Sequence, residues 1–364
     1  MKIDAETLRI WLEKKDPVFV LDVRPKEQRE EWQIPGSHYL DAYKRLNEGD
    51  KSVLDEIEIP DNAIVVTVCA AGRTSQLAAD VLKEKGFDAF SLEGGMKAWS
   101  KAWNVAKSQF PDFEVLQARR TGKGCLSYII SSNNEAIIID ASLPATIYEE
   151  LVHQHELSVK YVIETHVHAD HLSRSKQVAD LLKAPLFLPV PNKVQFSHNP
   201  ITEDTSFTIG AITLKSLSTP GHTLESYCFY IENIILITGD TLFTNGVGRP
   251  DLKADPEESL VKARLLYQSL KKLLTLPDST LILPAHTNKP VDFDGTMIST
   301  TVREARPSIS LLHSSENDFV NQLLQKIPPT PANYLSIVEK NLTGYFSDTD
   351  SNELEVGANR CAIS

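Results

Sequence analysis

In VKYVIETHVHADH (159–171) an apolar, β-branched run gives way to three histidines and an aspartate within six residues. VKYVIET reads as a strand, so His166, His168, Asp170 and His171 project from one strand-end loop. Neutral imidazole is the commonest biological metal ligand, and a neighbouring carboxylate supplies oxygen or holds a ring in place. Further donors follow, each where an apolar strand stops: His222 in STPGHT (218–223), Asp240 in IILITGD (234–240) and His286 in LILPAH (281–286). Strand ends converge in an α/β layer, so four loops can surround one metal centre. Spacing leaves open whether the seven residues hold one ion or a dinuclear zinc pair.

Around this stretch, strand-like runs FEVLQA (113–118), CLSYII (125–130) and EAIIID (135–140) precede it, and ITLKSLST, YCFYI and LILPA follow. Helical segments are interspersed, including 145–156 and 256–274. The mixed order predicts a layered α/β sandwich over 114–346. Residues 1–106 differ. VFVLDV (18–23) and AIVVTV (63–68) are continuous apolar strands alternating with helical stretches such as 74–86, the pattern of a parallel sheet covered on both faces. A polar stretch ending at Pro111 predicts a linker at 107–113. The acidic segment 347–364 predicts a flexible tail.

Composition sets the outer bounds. At about 150 residues per domain, 364 residues favour two domains or slightly more. The charge is −12, which argues against nucleic acid and anionic membrane as partners. No apolar run reaches the roughly 18 residues of a membrane span. The opening MKIDAETLRIWLEKK lacks the order of a secretory signal, and four scattered cysteines form no disulfide framework, so a cytoplasmic location is expected. Cys361-Ala362-Ile363-Ser364 formally fits a prenylation signal but lacks a polybasic neighbour, and coincidence is the expected reading.

The run HxHxDH with GH, GD and PAH in order resembles the metallo-β-lactamase superfamily over about residues 113–345. Within it THVHADH, TPGHT, GDTLF and VGRPDL (247–252) resemble the persulfide dioxygenases. The resemblance implies one Fe(II) per chain held by His166, His222 and Asp240, with His168, Asp170, His171 and His286 around it or holding an alternative second metal. Two histidines and one carboxylate leave positions open for a thiolate and O2. The implied partners are a low-molecular-weight thiol persulfide such as glutathione persulfide, O2, and sulfite or thiosulfate; a homodimer or homotetramer is also suggested. The competing enzyme reading is a glyoxalase-II-like zinc thioester hydrolase, in which metal-bound hydroxide attacks a carbonyl. A reading of another class is a non-catalytic persulfide sensor, which needs no open coordination position. A metal-dependent nuclease would normally add a basic surface. Where the family often has tyrosine after PAH, this chain has Thr287 and Asn288. Arg249 and Asp251 are expected as a loop ion pair or as pocket residues. Cys125 and Cys228 are expected as small buried hydrophobes, with Cys125 the one that could sit near the pocket.

Cys69 ends AIVVTV and opens CAAGRTS (69–75) before a helix, where backbone N–H groups and the helix N-terminus favour thiolate. LDVRPKEQREEWQIPGSHYL (21–40), CAAGRTS and FSLEGGMKAW (90–99) resemble the rhodanese family. The resemblance implies that Cys69 carries sulfane sulfur as a persulfide, with Gly72 shaping the loop, Arg73 adding charge, and Asp22 and Arg24 pairing in support. Thr74 stands where many rhodanese loops carry arginine. Thr74 and Ser75 are expected to cap the helix.

Overall fold

The computed structural model describes residues 1–190, 192–330, 333–347, 351, 353–355 and 359–363. Strands Lys2–Ile3, Asp88–Leu92, Ile64–Val68, Val18–Asp22 and His38–Tyr39 lie side by side in that order, all parallel. Both faces are covered, which is why the strands are apolar throughout. Phe19, Leu21 and Val65 pack with Leu46, Ala78 and Leu82 on one face. Val20, Val66 and Val68 pack with Leu8, Trp99 and Ala102 on the other.

The rest of the chain forms a four-layer sandwich. One seven-stranded sheet runs from Asn199–Pro200 through Leu186–Leu188, Ser158–Ile163, Glu135–Ile139, Leu126–Ser132 and Glu114–Arg119 to Asn104–Gln109. A six-stranded sheet runs from Ser206–Ile209 through Ile212–Ser218, Tyr227–Ile231, Ile235–Gly239 and Leu281–Pro284 to Thr300–Thr301. Between them lies one apolar layer that includes Tyr128, Ile130, Ile137, Ile163, Phe207, Phe229 and Ile237. Residues of opposite parity, such as Ile129, Ile138 and Val162, face the helices Ala145–Gln154 and Ser175–Leu182. Helices Pro256–Leu273 and Glu316–Gln325 cover the second sheet through Leu266, Leu270 and Phe319. The period of two along each strand divides the residues between inner core and outer helices.

Two expectations need correction. Residues 107–109 are not linker: with 104–106 they form an edge strand paired antiparallel with Glu114–Arg119, from Asn104 opposite Arg119 to Gln109 opposite Glu114. The expected linker at 107–113 is therefore the end of this strand and its turn, closed by a Phe110 N–H bond to the Phe113 carbonyl at 2.8 Å and by stacking of the two rings. Its polar residues occupy the exposed positions of a sheet edge, and that made it look like a linker.

Much of the segment expected as a flexible tail is packed where it is described, although Ser347 and Glu353 are exposed. Ala362–Ile363 pairs antiparallel with Val247–Gly248. Glu355 is buried against Arg120 at 3.2 Å and Arg174 at 3.4 Å, and accepts the Leu172 N–H at 2.8 Å. Acidic residues read as solvated until the arginines that receive them are known. Cys361 is 1% exposed within this segment, so its thiol is not presented for prenylation; Ser364 lies outside the described residues. Among the described residues no helix is long and apolar enough to cross a membrane.

Candidate metal centre and cysteine loop

The loops after Ser158–Ile163, Ile212–Ser218, Ile235–Gly239 and Leu281–Pro284 meet at one edge of the sandwich, where the two sheets are stitched by Leu126 N–H to the Ala285 carbonyl (2.7 Å) and Thr287 N–H to the Gly124 carbonyl (2.9 Å). Donor atoms of His166, His222 and Asp240 lie within 4.8 Å of one another, all buried. Asp240 Oδ2 is 3.7 Å from His166 Nε2 and 3.6 Å from His222 Nε2. Both separations are under twice a metal–ligand bond of about 2.1 Å, so one ion can touch the carboxylate and each ring.

The hydrogen bonds set the tautomers. His222 Nδ1 donates to the Arg249 carbonyl at 2.8 Å; a carbonyl only accepts, so Nε2 keeps its lone pair. The Thr165 hydroxyl donates to Asp140 Oδ2 at 2.8 Å and therefore accepts from His166 Nδ1 at 2.9 Å. His166 Nε2 and Asp240 Oδ2 are buried and have no hydrogen-bond partner. Burial pushes both imidazoles below their ordinary pKa, His166 far below. Neutral rings, free lone pairs and an unpartnered carboxylate oxygen aimed together fit a divalent cation.

The other four residues of the histidine–aspartate set are placed differently. His168 lies beside His166 with Nε2 3.3 Å from Asp140 Oδ1, and neither of its buried ring nitrogens has a hydrogen-bond partner. His286 lies between two carboxylates, with Nδ1 2.6 Å from Asp240 Oδ1 and Nε2 2.7 Å from Asp170 Oδ2. Burial opposes its charge, but the two aspartates outweigh that and raise it well above the usual range. Asp170, His171 and His286 form a second buried cluster with Cys125. Burial and Asp170 push the Cys125 thiol up, while His171 and His286 bring it down to about 6. His171 is correspondingly raised to about 10, Asp170 and the thiol outweighing burial.

Sequence reasoning did not single out Asp140, Thr165, Asn359 or Cys361 for this centre. Asp140 carried a weak signal, an acid ending the strand EAIIID. Cys361 lies with Asp240 and His286 in a third cluster of buried donors. Arg249 and Asp251 form a bidentate ion pair, 2.8 Å at each contact, and the guanidinium also donates to the carbonyls of Pro328 and Arg360. Arg249 is fully buried and reaches the centre only through its backbone carbonyl. Cys228 is buried between Leu236 and Leu273. A cavity of about 320 Å³ opens beside His222, walled by Val167, Ala169, Leu252 and Val338, with Lys193 and Lys253 at its border.

In the first domain, Cys69 Sγ accepts from the Gly72 N–H at 3.1 Å and from the Ser75 hydroxyl at 3.3 Å. Helix Arg73–Glu84 points its N-terminus at this loop, and Gly72 precedes it with φ +87°. A Cβ on Gly95 would lie 2.2 Å from the Cys69 carbonyl oxygen, so the loop packs on bare backbone. Thr74 and Ser75 do not cap the helix. They lie inside it, Thr74 meeting Asn47 and Ser75 turned to the thiol, and the cap position is glycine. Arg73 is exposed and is not among the hydrogen-bond donors to the sulfur. Asp22 and Arg24 form a buried bidentate pair, with Nη2 to Oδ2 at 2.7 Å.

The rhodanese-like domain family matches residues 4–102, and the metallo-beta-lactamase superfamily matches residues 120–286. The chain thus carries a rhodanese-like domain followed by a metallo-β-lactamase domain. Among curated proteins, Glyoxylase B2 of Dictyostelium discoideum is 32% identical over 43% of this chain and 59% of its own length. A hydroxyacylglutathione hydrolase of Idiomarina loihiensis is 31% identical over 43% of this chain and 58% of its own. The chain thus spans about three fifths of these relatives. Of solved structures, ETHE1 from Myxococcus xanthus is 26% identical with a TM-score of 0.55, over 63% of this chain and 98% of that one. A metallo-β-lactamase from Staphylococcus aureus, at 24% identity and TM-score 0.58 over 65% of this chain and 74% of that one, shares the fold.

Proposed function

We propose that the second domain is a mononuclear Fe(II) dioxygenase for a low-molecular-weight thiol persulfide, coupled to sulfur transfer through Cys69. The observation that carries this reading is the pair of unpartnered buried atoms, His166 Nε2 and Asp240 Oδ2, meeting His222 Nε2 in a set of two imidazoles and one carboxylate. Bound iron would supply a redox-active centre with positions open to sulfur and O2. The resemblance of THVHADH, GDTLF and VGRPDL to persulfide dioxygenases and the ETHE1 structure support it.

In the overall reaction a persulfide R–S–SH, O2 and one water become R–SH, sulfite and two protons; the sulfane sulfur loses the four electrons that O2 gains. The chain's residues prepare this. Thr165 and the Arg249 carbonyl fix two rings with lone pairs inward, Asp240 offsets cationic charge, and His286 keeps a proton between Asp240 and Asp170. The cavity beside His222 offers an apolar wall for a thiol's methylene and lysines for its carboxylates. At Cys69, two donors on the sulfur suit a thiolate or persulfide anion. Its thiolate would attack the outer sulfur of a donor, the donor leaving as thiolate or sulfite.

A second reading rests on the relatives named hydroxyacylglutathione hydrolase and on the buried Asp170–His171–His286–Cys125 cluster, which could take a second ion for thioester hydrolysis. The deciding experiment follows O2 uptake and sulfite release by Fe(II)-loaded protein given glutathione persulfide, with metal content measured on the same sample. Uptake that survives Cys69→Ser but falls at least a hundredfold in His222→Ala is expected. No uptake, with two zinc ions per chain and hydrolysis of a glutathione thioester, would establish the hydrolase instead.

A further inference from the structure

A second cavity, of about 260 Å³, lies where the two domains meet, and none of the histidines lines it. Its wall takes Lys101 from the first domain, Arg120, Ser142, Arg174 and Gln177 from the second, and Glu355 from the end of the chain. Three cations against one carboxylate leave it positive in a chain of net charge −12. Glu355 accepts one N–H from each arginine, Arg120 Nη1 at 3.2 Å and Arg174 Nη2 at 3.4 Å, and leaves other donors over. Arg120 Nη2 crosses the joint to the Ser100 carbonyl at 3.1 Å, while its Nε is buried with no partner among the described residues. The Ser142 hydroxyl is also buried and unpartnered, and both residues are 2% exposed. Residues 143–145, at the start of helix Ala145–Gln154, complete this side, and no side chain caps that helix.

Buried donors without acceptors are rare in folded chains. A guanidinium Nε, a hydroxyl and the free N–H groups of a helix start all donate, and the helix start adds partial positive charge. The Gln177 amide, whose oxygen has no partner, can turn its NH2 inward as well. Such a lining calls for a ligand that only accepts. The volume lies below the roughly 300–1,000 Å³ of pockets for drug-sized molecules, which suits an ion with some of its water. We propose that this cavity binds a small oxyanion of the sulfite or thiosulfate type, held between the two domains. The assignment to sulfur rests on the proposed reaction, which releases sulfite at one domain and moves sulfane sulfur at the other. The donors themselves select a compact, doubly charged acceptor.

The test is calorimetric titration of the full, metal-loaded chain at constant ionic strength. Sodium sulfate serves as an unreactive stand-in for thiosulfate, with sodium phosphate and sodium chloride alongside. Sulfate is expected to saturate at one ion per chain, and chloride to give no saturable heat. Ser142→Ala removes a hydroxyl that bonds nothing in the protein, so the melting temperature without anion should hold while sulfate binds about fivefold more weakly. Lys101→Met, at an exposed position, should weaken sulfate about tenfold and carries the test if Ser142→Ala does not fold. His222→Ala is expected to bind sulfate like wild type, which separates this cavity from the metal centre. No saturable sulfate binding, or binding lost in His222→Ala and unchanged in Ser142→Ala and Lys101→Met, overturns the site. Phosphate binding at least tenfold more tightly than sulfate overturns the assignment to sulfur. O2 uptake with glutathione persulfide is read separately: sulfate bound as expected without uptake keeps the oxyanion site and removes the dioxygenase, and uptake without sulfate binding does the reverse.

Discussion

The Thr165 hydroxyl has one proton, and Asp140 takes it, so the oxygen is left to accept from His166 Nδ1. This one atom selects the tautomer that turns a lone pair toward Asp240. Outer partners of metal-bound histidines typically contribute 10–100-fold in affinity. Thr165→Val keeps the side chain's shape, removes the donor to Asp140 Oδ2 and leaves His166 Nδ1 unpaired. We expect metal affinity to fall by about that factor, read by competition with a chelating dye, and stability to fall by about 1–3 kcal/mol. Unchanged affinity would mean that packing alone orients the ring. Cys69 shows similar economy: a glycine N–H and a serine hydroxyl hold the sulfur, and the exposed Arg73 is not one of its donors.

Between elements, Glu355 ties the end of the chain to the second domain, engaging Arg120, Arg174 and the Leu172 N–H just past the HxHxDH run. Burial alone would raise its pKa, but the two arginines outweigh this and bring the carboxyl down to about 2. A carboxylate more acidic when folded adds stability that is complete above its unfolded value of about 4.3 and fades as pH falls toward the folded value. Glu355→Gln leaves two buried guanidinium groups short of a partner and is expected to cost about 3–5 kcal/mol at pH 7. In denaturant titrations the gap from wild type should stay flat from pH 7 to 5 and close progressively below that. A gap constant to pH 3 would show that the residue acts through packing and not charge.

On the scale of the whole molecule, the two domains share buried bonds. Trp32 of the first donates through Nε1 to the Thr121 carbonyl of the second at 3.1 Å, and Arg120 returns a bond to the Ser100 carbonyl at 3.1 Å. Phe293 reaches across to pack beside Trp99. Trp32→Ala is expected to cost about 3–5 kcal/mol, as large aromatic truncations do. It should also split one calorimetric transition into two, the domains then melting separately. A single transition at the wild-type temperature would show that Trp32 contributes nothing to the coupling of the domains. Fusion raises the concentration of each domain near the other, and this joint fixes how they face.

Local patterns carried much of this in the sequence alone. Strand periodicity, a cysteine before a helix and histidines at strand ends depend on neighbours a few residues apart, so the two α/β domains and the inventory of His166, His168, Asp170, His171, His222, Asp240 and His286 were legible in the chain. Which donors converge was not, because His166 follows a strand of one sheet and His222 and Asp240 follow strands of the other, and they meet only when the two sheets close on each other. Residues 107–109, the end of the edge strand, read as linker because an edge exposes polar residues as a linker does. Residues after 347 looked solvated because their composition is acidic and polar. Tertiary structure gave Glu355 two arginines and Asn359 an aspartate, since a charge or an amide stays buried where a distant partner meets it.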